Sequence, residues 1–195
     1  MTQEPITRRY IDALAGVLQR TRVTARNDAA LSLDEGIHWM RQAAAETHAR
    51  GNKIMFIGNG GSAAIASHMA NDYSKNGGLR ATAFNDSSAL TCLGNDFGYE
   101  YVFSKQIELH HRPGDLLVAI SSSGRSRNIL NGVDAAVSGG CRVATLSGFG
   151  ADNALRRMGD INFFLDSGEY GFVEIGHLAL CHAVLDIHMG WNGEV

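Results

Sequence analysis

Two clusters of residues in this chain have types and spacings suited to chemistry on a small anion. The first is Gly58-Asn59-Gly60-Gly61-Ser62, which follows the apolar pair Phe56-Ile57 and precedes His68 and Asp72. A strand that runs into small residues and then opens a helix leaves backbone amides exposed at a positive helix end, which is how an anion cradle is built. His68 and Asp72 are spaced i, i+4, so they lie one turn apart on one helix face, an arrangement for joint ligation or a hydrogen-bonded pair. The second cluster repeats the logic. Asp115 to Ile120 reads as a buried strand, followed by Ser121-Ser122-Ser123-Gly124-Arg125-Ser126 and a helical stretch to about Val137. Four hydroxyls, a glycine and a helix N-terminus capped by Ser126 offer several donors to one small volume. Serine and glycine also make ordinary turns, and one such loop alone would carry little. Two of them, each at the carboxyl end of an apolar strand and each opening a helix, point to phosphate. Neither loop has the lysine followed by Ser or Thr of a nucleotide-triphosphate loop, and neither reads G-x-G-x-x-G, so the anion reads as a sugar phosphate.

The elements that must position these loops alternate. Helices are expected from about Ile6 to Val23 and Ala29 to Arg50. Strands follow at about Lys53 to Ile57, Ala81 to Phe84, Asp115 to Ser121, Cys141 to Leu146 and Asn162 to Leu165. Between them fall helices at Ser62 to Lys75, Ser87 to Leu93, Tyr99 to His110, Ser126 to Val137 and Asn153 to Met158, with a last helix from about Phe172 to Met189. Alternation of this kind implies an α/β fold, a parallel sheet with helices on both faces and ligands beyond the carboxyl ends of the strands. The apolar stripe Ile11, Leu14, Leu18 on the first helix fits a contact between subunits or within one.

Composition narrows the class. At 195 residues and 45% hydrophobic, the chain can bury one substantial core. A net charge of −3 without clustered Lys and Arg argues against nucleic acid, and Arg156-Arg157 reads as a solvated helix face. The start, Met1-Thr-Gln-Glu-Pro5, lacks an apolar signal core, and the apolar runs look too short to span a bilayer, so a cytoplasmic protein with no membrane partner is expected. Cys92, Cys141 and Cys181 are odd in number and set in apolar surroundings, which reads as reduced core thiols. His177 and the pair His110-His111 are assigned to structure.

Gly58 to Ser62, His68, Gly94-Asn95-Asp96-Phe97-Gly98, the Ser121 to Ser126 loop and His182 occur in the order and spacing of a known family. The chain resembles the SIS (sugar isomerase) domain proteins and, within them, the phosphoheptose isomerases, over nearly its whole length to about Gly190. The resemblance implies a three-layer α/β/α sandwich around a five-stranded parallel flavodoxin-like sheet. It implies a single SIS domain over 1–195, with N-terminal helices in 1–50 used in oligomer packing, an α/β core in 51–190, and a homotetramer. The implied reaction is conversion of sedoheptulose 7-phosphate to D-glycero-D-manno-heptose 7-phosphate, which moves a proton between C1 and C2 through an enediol and needs a base, an acid and oxyanion stabilisation.

Carried over position by position, the resemblance makes Asp72 and His182 the acid-base pair and His68, Asp72, Glu174 and His182 the ligands of a zinc ion. It sets Asn59, Gly60, Gly61, Ser62, Asn95, Asp96, Ser121, Ser122, Ser123, Ser126 and Glu174 against the phosphorylated sugar. Four positions depart from the family pattern: Asp for Glu at 72, Glu for Gln at 174, Ile65 for Asp, and Arg125 for Asn. Aspartate is a methylene shorter, a misplacement that can cost about 10²-fold in rate. Continuous helix would separate Glu174 from His182 by about 12 Å, so either the helix starts after Glu174 or the ligands come from different subunits. Gly94-Asn95-Asp96 alone is also a good turn, and His182 with Asp186 at i+4 is also a local surface pair. Two other readings stand beside the isomerase: a non-catalytic SIS protein that binds a sugar phosphate or a protein partner, and an isomerase of another sugar phosphate.

Overall fold

The computed structural model describes residues 5–194. The expectation for Met1 to Glu4, that no signal core begins there, lies outside them. The chain forms α1 (Ile6–Gln19), β1 (Arg22–Ala25), β2 (Ala30–Leu31), α2 (Leu33–Ala49), β3 (Ile54–Gly58), α3 (Gly61–Lys75), β4 (Ala81–Ala83) and α4 (Ser87–Phe97). It continues with α5 (Val102–His110), β5 (Leu116–Ser121), α6 (Arg127–Ser138), β6 (Arg142–Ser147), β7 (Ile161–Phe164) and α7 (Tyr170–His188). Short 3-10 turns at Tyr99–Tyr101 and Ala154–Arg157 stand where the first turn of one helix and the whole of another were expected.

The α/β sandwich is as expected, but its sheet has seven strands, in the order β2-β1-β7-β6-β5-β3-β4. The five from β3 to β7 are parallel. The two additional strands form a hairpin that pairs antiparallel with β7, Val23 opposite Phe163. They replace the end of the first expected helix and the start of the second. The turn between them holds Asp28 at φ 62, a left-handed conformation that aspartate tolerates better than most residues. Beyond the hairpin, Ser32 caps α2: its hydroxyl accepts from the Glu35 amide while the Glu35 carboxylate accepts from the Ser32 amide.

Every residue of Leu116–Ile120 is fully buried, the mark of a strand covered on both faces. On one side Phe56, Val118 and Leu146 pack against α2, α3 and α7 through Met40, Met69, Tyr73 and Leu180. On the other, Met55, Ile57, Leu117 and Ala119 pack against α5 and α6 through Phe103, Ile107, Ile129 and Val133. The chain leaves β3 toward the β4 edge and leaves β5 toward β6, so α3 and α6 diverge to opposite faces. Between the tips of β3 and β5 the strand order reverses, and a crevice opens there by necessity.

At the opposite ends of the same strands, Asp115 is fully buried and saturated. Its carboxylate accepts from the Lys53 amide at 2.9 Å, the Arg112 amide at 2.8 Å and Lys53 Nζ at 2.7 Å. Helix α7, at 19 residues, is long and apolar enough by length and composition to cross a bilayer, contrary to the sequence expectation. One face of it, with Val173, His177, Cys181 and Leu185, is buried in the sandwich. Cys141 and Cys181 are buried thiols as expected, whereas Cys92 is exposed on α4. The Asp96 carboxylate beside it pushes the Cys92 thiol up, away from thiolate character.

Candidate active site

The crevice at the reversal point is a pocket of about 220 Å³ that gathers both loops: Asn59, Gly60, Gly61, Ser62, Ser121, Ser122, Ser123 and Ser126, joined by Tyr170 and Glu174 from α7. Gly60 caps α3 at φ 54, ψ −123, a backbone conformation closed to residues with a side chain, and it turns the β3 tip into the helix. Gly61 lets the Glu174 carboxylate lie close, because a Cβ there would stand 2.5 Å from it and displace that side chain. In the serine loop the Ser121 hydroxyl accepts from the Gly124 amide at 3.2 Å, and the Ser123 hydroxyl accepts from the Arg125 amide at 3.3 Å. The amides of Ser122, Ser123 and Ser126 find no acceptor among the described residues. Unpaired amides, hydroxyls and the starts of α3 and α6 together suit an oxyanion. Ser126 stands at the N-cap position but its side chain does not cap; its oxygen accepts from the Ser121 hydroxyl at 3.5 Å instead.

The two loops are tied to each other. Asn59 Nδ2 donates to Asn128 Oδ1 and Asn128 Nδ2 donates to Asn59 Oδ1, both at 2.9 Å, and the Tyr99 hydroxyl also donates to Asn59 Oδ1. The Asn59 side chain, expected against substrate, lines the pocket and also fixes the spacing of the loops. Asn128 and Tyr99 were missed in the sequence. Tyr170 was missed too, although its i, i+4 relation to Glu174 was available as a signal. Arg125 turns away from the pocket to Asp152, its Nη2 donating to both carboxylate oxygens at 2.8 Å, and this guanidinium holds the Asp152 carboxyl below its ordinary value.

A second group lies further along the same two helices. Donor atoms of His68, Asp72 and His182 all stand within 4.8 Å of one another, with His68 Nε2 3.4 Å from the Asp72 carboxylate and the His68 and His182 rings 5.4 Å apart. Ligands of a tetrahedral zinc stand about 3.4 Å from each other, given metal bonds near 2.0 to 2.1 Å. Two imidazoles and a carboxylate on a half-open surface, with room for a fourth ligand, fit such an ion after small side-chain rotations. Glu174 stands apart from this group within one chain. Helix α7 starts at Tyr170, so Glu174 is helical and cannot fold back to His182; the first of the two ways to unite them is removed. His182 faces His68 and makes no ion pair with Asp186. Ile65 fills the core at 7% exposure, and the Asp72 carboxylate at 3.4 Å is the one polar group against the His68 ring nitrogens among the described residues.

Asn95 and Asp96 are not brought to the pocket. They lie on α4 as helix, not turn, with the Asn95 amide donating to Asp96 at 3.0 Å and both exposed. Arg156 is half-buried, its guanidinium 4.6 Å from the centre of the Phe164 ring, so only Arg157 behaves as a solvated face.

Residues 10–148 match the model of the SIS domain. The chain belongs to the SIS domain family. The match ends before α7, which carries Glu174, His177 and His182. A phosphoheptose isomerase of Campylobacter concisus is 40% identical over 149 residues, 73% of this chain and 78% of that one. One of Klebsiella pneumoniae is 40% identical over 147 residues, 71% and 75%. The solved phosphoheptose isomerase GmhA from Neisseria gonorrhoeae superposes with a TM-score of 0.81 at 31% identity, covering 93% of this chain and 97% of that one. Within the SIS family the chain stands with the phosphoheptose isomerases, and it is an isomerase.

Proposed function

We propose that this isomerase interconverts sedoheptulose 7-phosphate and D-glycero-D-manno-heptose 7-phosphate. The observation that carries the reading is the convergence of two loops from separate crossovers on one 220 Å³ pocket with unpaired amides and hydroxyls. The phosphoryl group binds the serine loop, Ser121 to Ser126, and the tip formed by Gly60, Gly61 and Ser62. Along α3 the rise from Ser62 to His68 is about 9 Å. An open seven-carbon chain with bonds near 1.5 Å, extended from its phosphate, spans about the same length. Shorter sugar phosphates would leave His68, Asp72 and His182 out of reach.

Asp72 and His182 are the proton carriers, one at each of the first two carbons, in either order. His68, Asp72 and His182 would hold zinc, which when bound would polarise the substrate oxygens. Glu174 as a ligand requires a second copy of the chain. A homotetramer supplies one, and the exposed apolar side chains Ile6, Tyr10 and Ile11 on α1 and Ile175 on α7 support packing of the first and last helices between subunits. Only Val17 of α1 is buried within one chain.

The reading is tested by incubating the purified protein with sedoheptulose 7-phosphate and following aldose formation. Turnover of this ketose at least tenfold above that of five- and six-carbon ketose phosphates is expected. Clear binding without turnover of any ketose phosphate would favour a binding-only member of the family. Glu174 makes its own prediction, because its carboxylate sits in the cradle meant for an anion. Glu174→Gln is expected to tighten phosphosugar binding about five- to tenfold in isothermal titration, the relief of one nearby like charge worth about 1 kcal/mol. Weaker binding in the variant would mean that the carboxylate itself holds the ligand or a cation.

A further inference from the structure

We infer that the far end of the sheet carries a second ligand site, for a small polyvalent oxyanion, in a pocket of about 440 Å³ between the starts of β3, β4 and β5. Its volume is about twice that of the serine-loop pocket and lies in the range of small-molecule sites. Lys53, Arg80, His110 and Arg112 line it together with the Phe84 ring and one acid, Asp115. That acid is already spoken for: two backbone amides and the Lys53 ammonium satisfy it. Lys53 and Asp115 therefore cancel, and the fold uses both to join the starts of β3 and β5.

The charge left over is that of Arg80 and Arg112. Both are exposed into the pocket mouth, and no carboxylate pairs with either among the described residues. Arg80 donates through Nη1 to the Gly51 carbonyl, which leaves the rest of its guanidinium unengaged. The Arg112 guanidinium donates to no group among the described residues. Its backbone amide holds Asp115, so the position is anchored while the side chain is not. Two planar guanidinium forks converging on a concave surface match the oxygens of phosphate or carboxylate groups bidentately. In a chain of net charge −3, such a concentration of positive charge is local, and a concave wall focuses it. His110, stacked on Phe84 at 6.1 Å between ring centres, supplies a flat wall beside the charges.

The site is distinct from the serine-loop pocket. Asp115 stands just before β5 and Ser121 ends it, six residues further on or about 20 Å. Phosphorylated metabolites and di- or tricarboxylates share the required chemistry, and the probes separate them. The experiment titrates the intact protein with pyrophosphate and, in a second arm, with citrate, by calorimetry. Arg112→Glu and Arg80→Ala are compared with Ser122→Asp, which fills the other pocket with like charge.

We expect a saturable event that Arg112→Glu weakens at least tenfold, that Arg80→Ala weakens to a lesser degree, and that Ser122→Asp leaves unchanged. The tighter of the two probes names the source. A binding event abolished by Ser122→Asp and untouched by Arg112→Glu, or no saturable binding of either probe, would overturn the inference. Because the arginine variants do not touch the serine loop, failure here leaves the isomerase reading standing, and the converse holds as well.

Discussion

His182→Ala is expected to lower turnover of the ketose phosphate by about 10²- to 10⁴-fold, the usual worth of a positioned acid or base, with phosphosugar affinity changed by less than about threefold. The separation follows from geometry. His182 sits eight residues down α7 from Glu174, about 12 Å along the axis, so its loss leaves the cradle of amides and hydroxyls intact. It is only partly buried, and no hydrogen bond ties its ring to the core among the described residues, so truncation opens no cavity of consequence. Steady-state kinetics beside calorimetric binding decide the matter. If instead kcat holds and thermal stability falls, His182 is a structural residue and the assignment of acid and base fails. The same variant is expected to lose bound zinc on elemental analysis, since only His68 and Asp72 of the three donors would remain.

Acidification is expected to remove about 3 kcal/mol of stability between pH 6.5 and pH 4 through one residue, His177. Its ring is fully buried with Nε2 3.2 Å from the Ser147 carbonyl and Nδ1 without a partner, and burial pulls its pKa down to about 4 from 6.5. The sign is fixed by which state takes up the proton. Above pH 6.5 neither state is protonated there and the contribution is constant. Below it the unfolded chain binds a proton that the folded chain refuses, so unfolding is favoured progressively until the folded-state pKa is reached. The fall from 6.5 to about 4, at about 1.4 kcal/mol for each step of one in pKa, gives the magnitude. Urea unfolding at several pH values checks it. The slope should flatten in His177→Leu, whatever that change does to absolute stability, and an unchanged slope would assign the acid sensitivity elsewhere.

How far the sequence could be read depended on where the information lay. Strands β3, β5 and β6 were legible because both of their faces are buried, so their residues form continuous apolar runs between turn signals. The loops at their tips were legible for the same reason. Strands β1 and β2 were not. Arg22–Ala25 buries only Val23, and what makes it a strand is pairing with β7, whose Asn162 lies 138 residues from Thr24. The Asn27-Asp28 turn was the one local sign of that hairpin. At the site, local spacing placed His68 and Asp72 together correctly, since helical geometry guarantees it. Their meeting with His182 was carried by the family resemblance and not by spacing. The pairing of the Asn59 side chain with Asn128 was not legible, because the two lie 69 residues apart. Asn95 and Asp96 were set against the sugar by the family resemblance, with a Gly94-Asn95-Asp96 turn as the plain alternative; the helix expected to end at Leu93 runs through to Phe97 and carries both.

The β1–β2 hairpin changes what the outer border of the sheet offers to other chains. Without it, β7 would present a row of free amides and carbonyls along Ile161–Phe164, an apolar segment rich in phenylalanine and a template for intermolecular strand addition. The hairpin takes up that row and ends in β2, only two residues long. The opposite border, β4, is three residues long. Both margins of the sheet are thus too short to recruit a stranger, and a chain trimmed to begin at Ser32 would trade that protection for a tendency to aggregate.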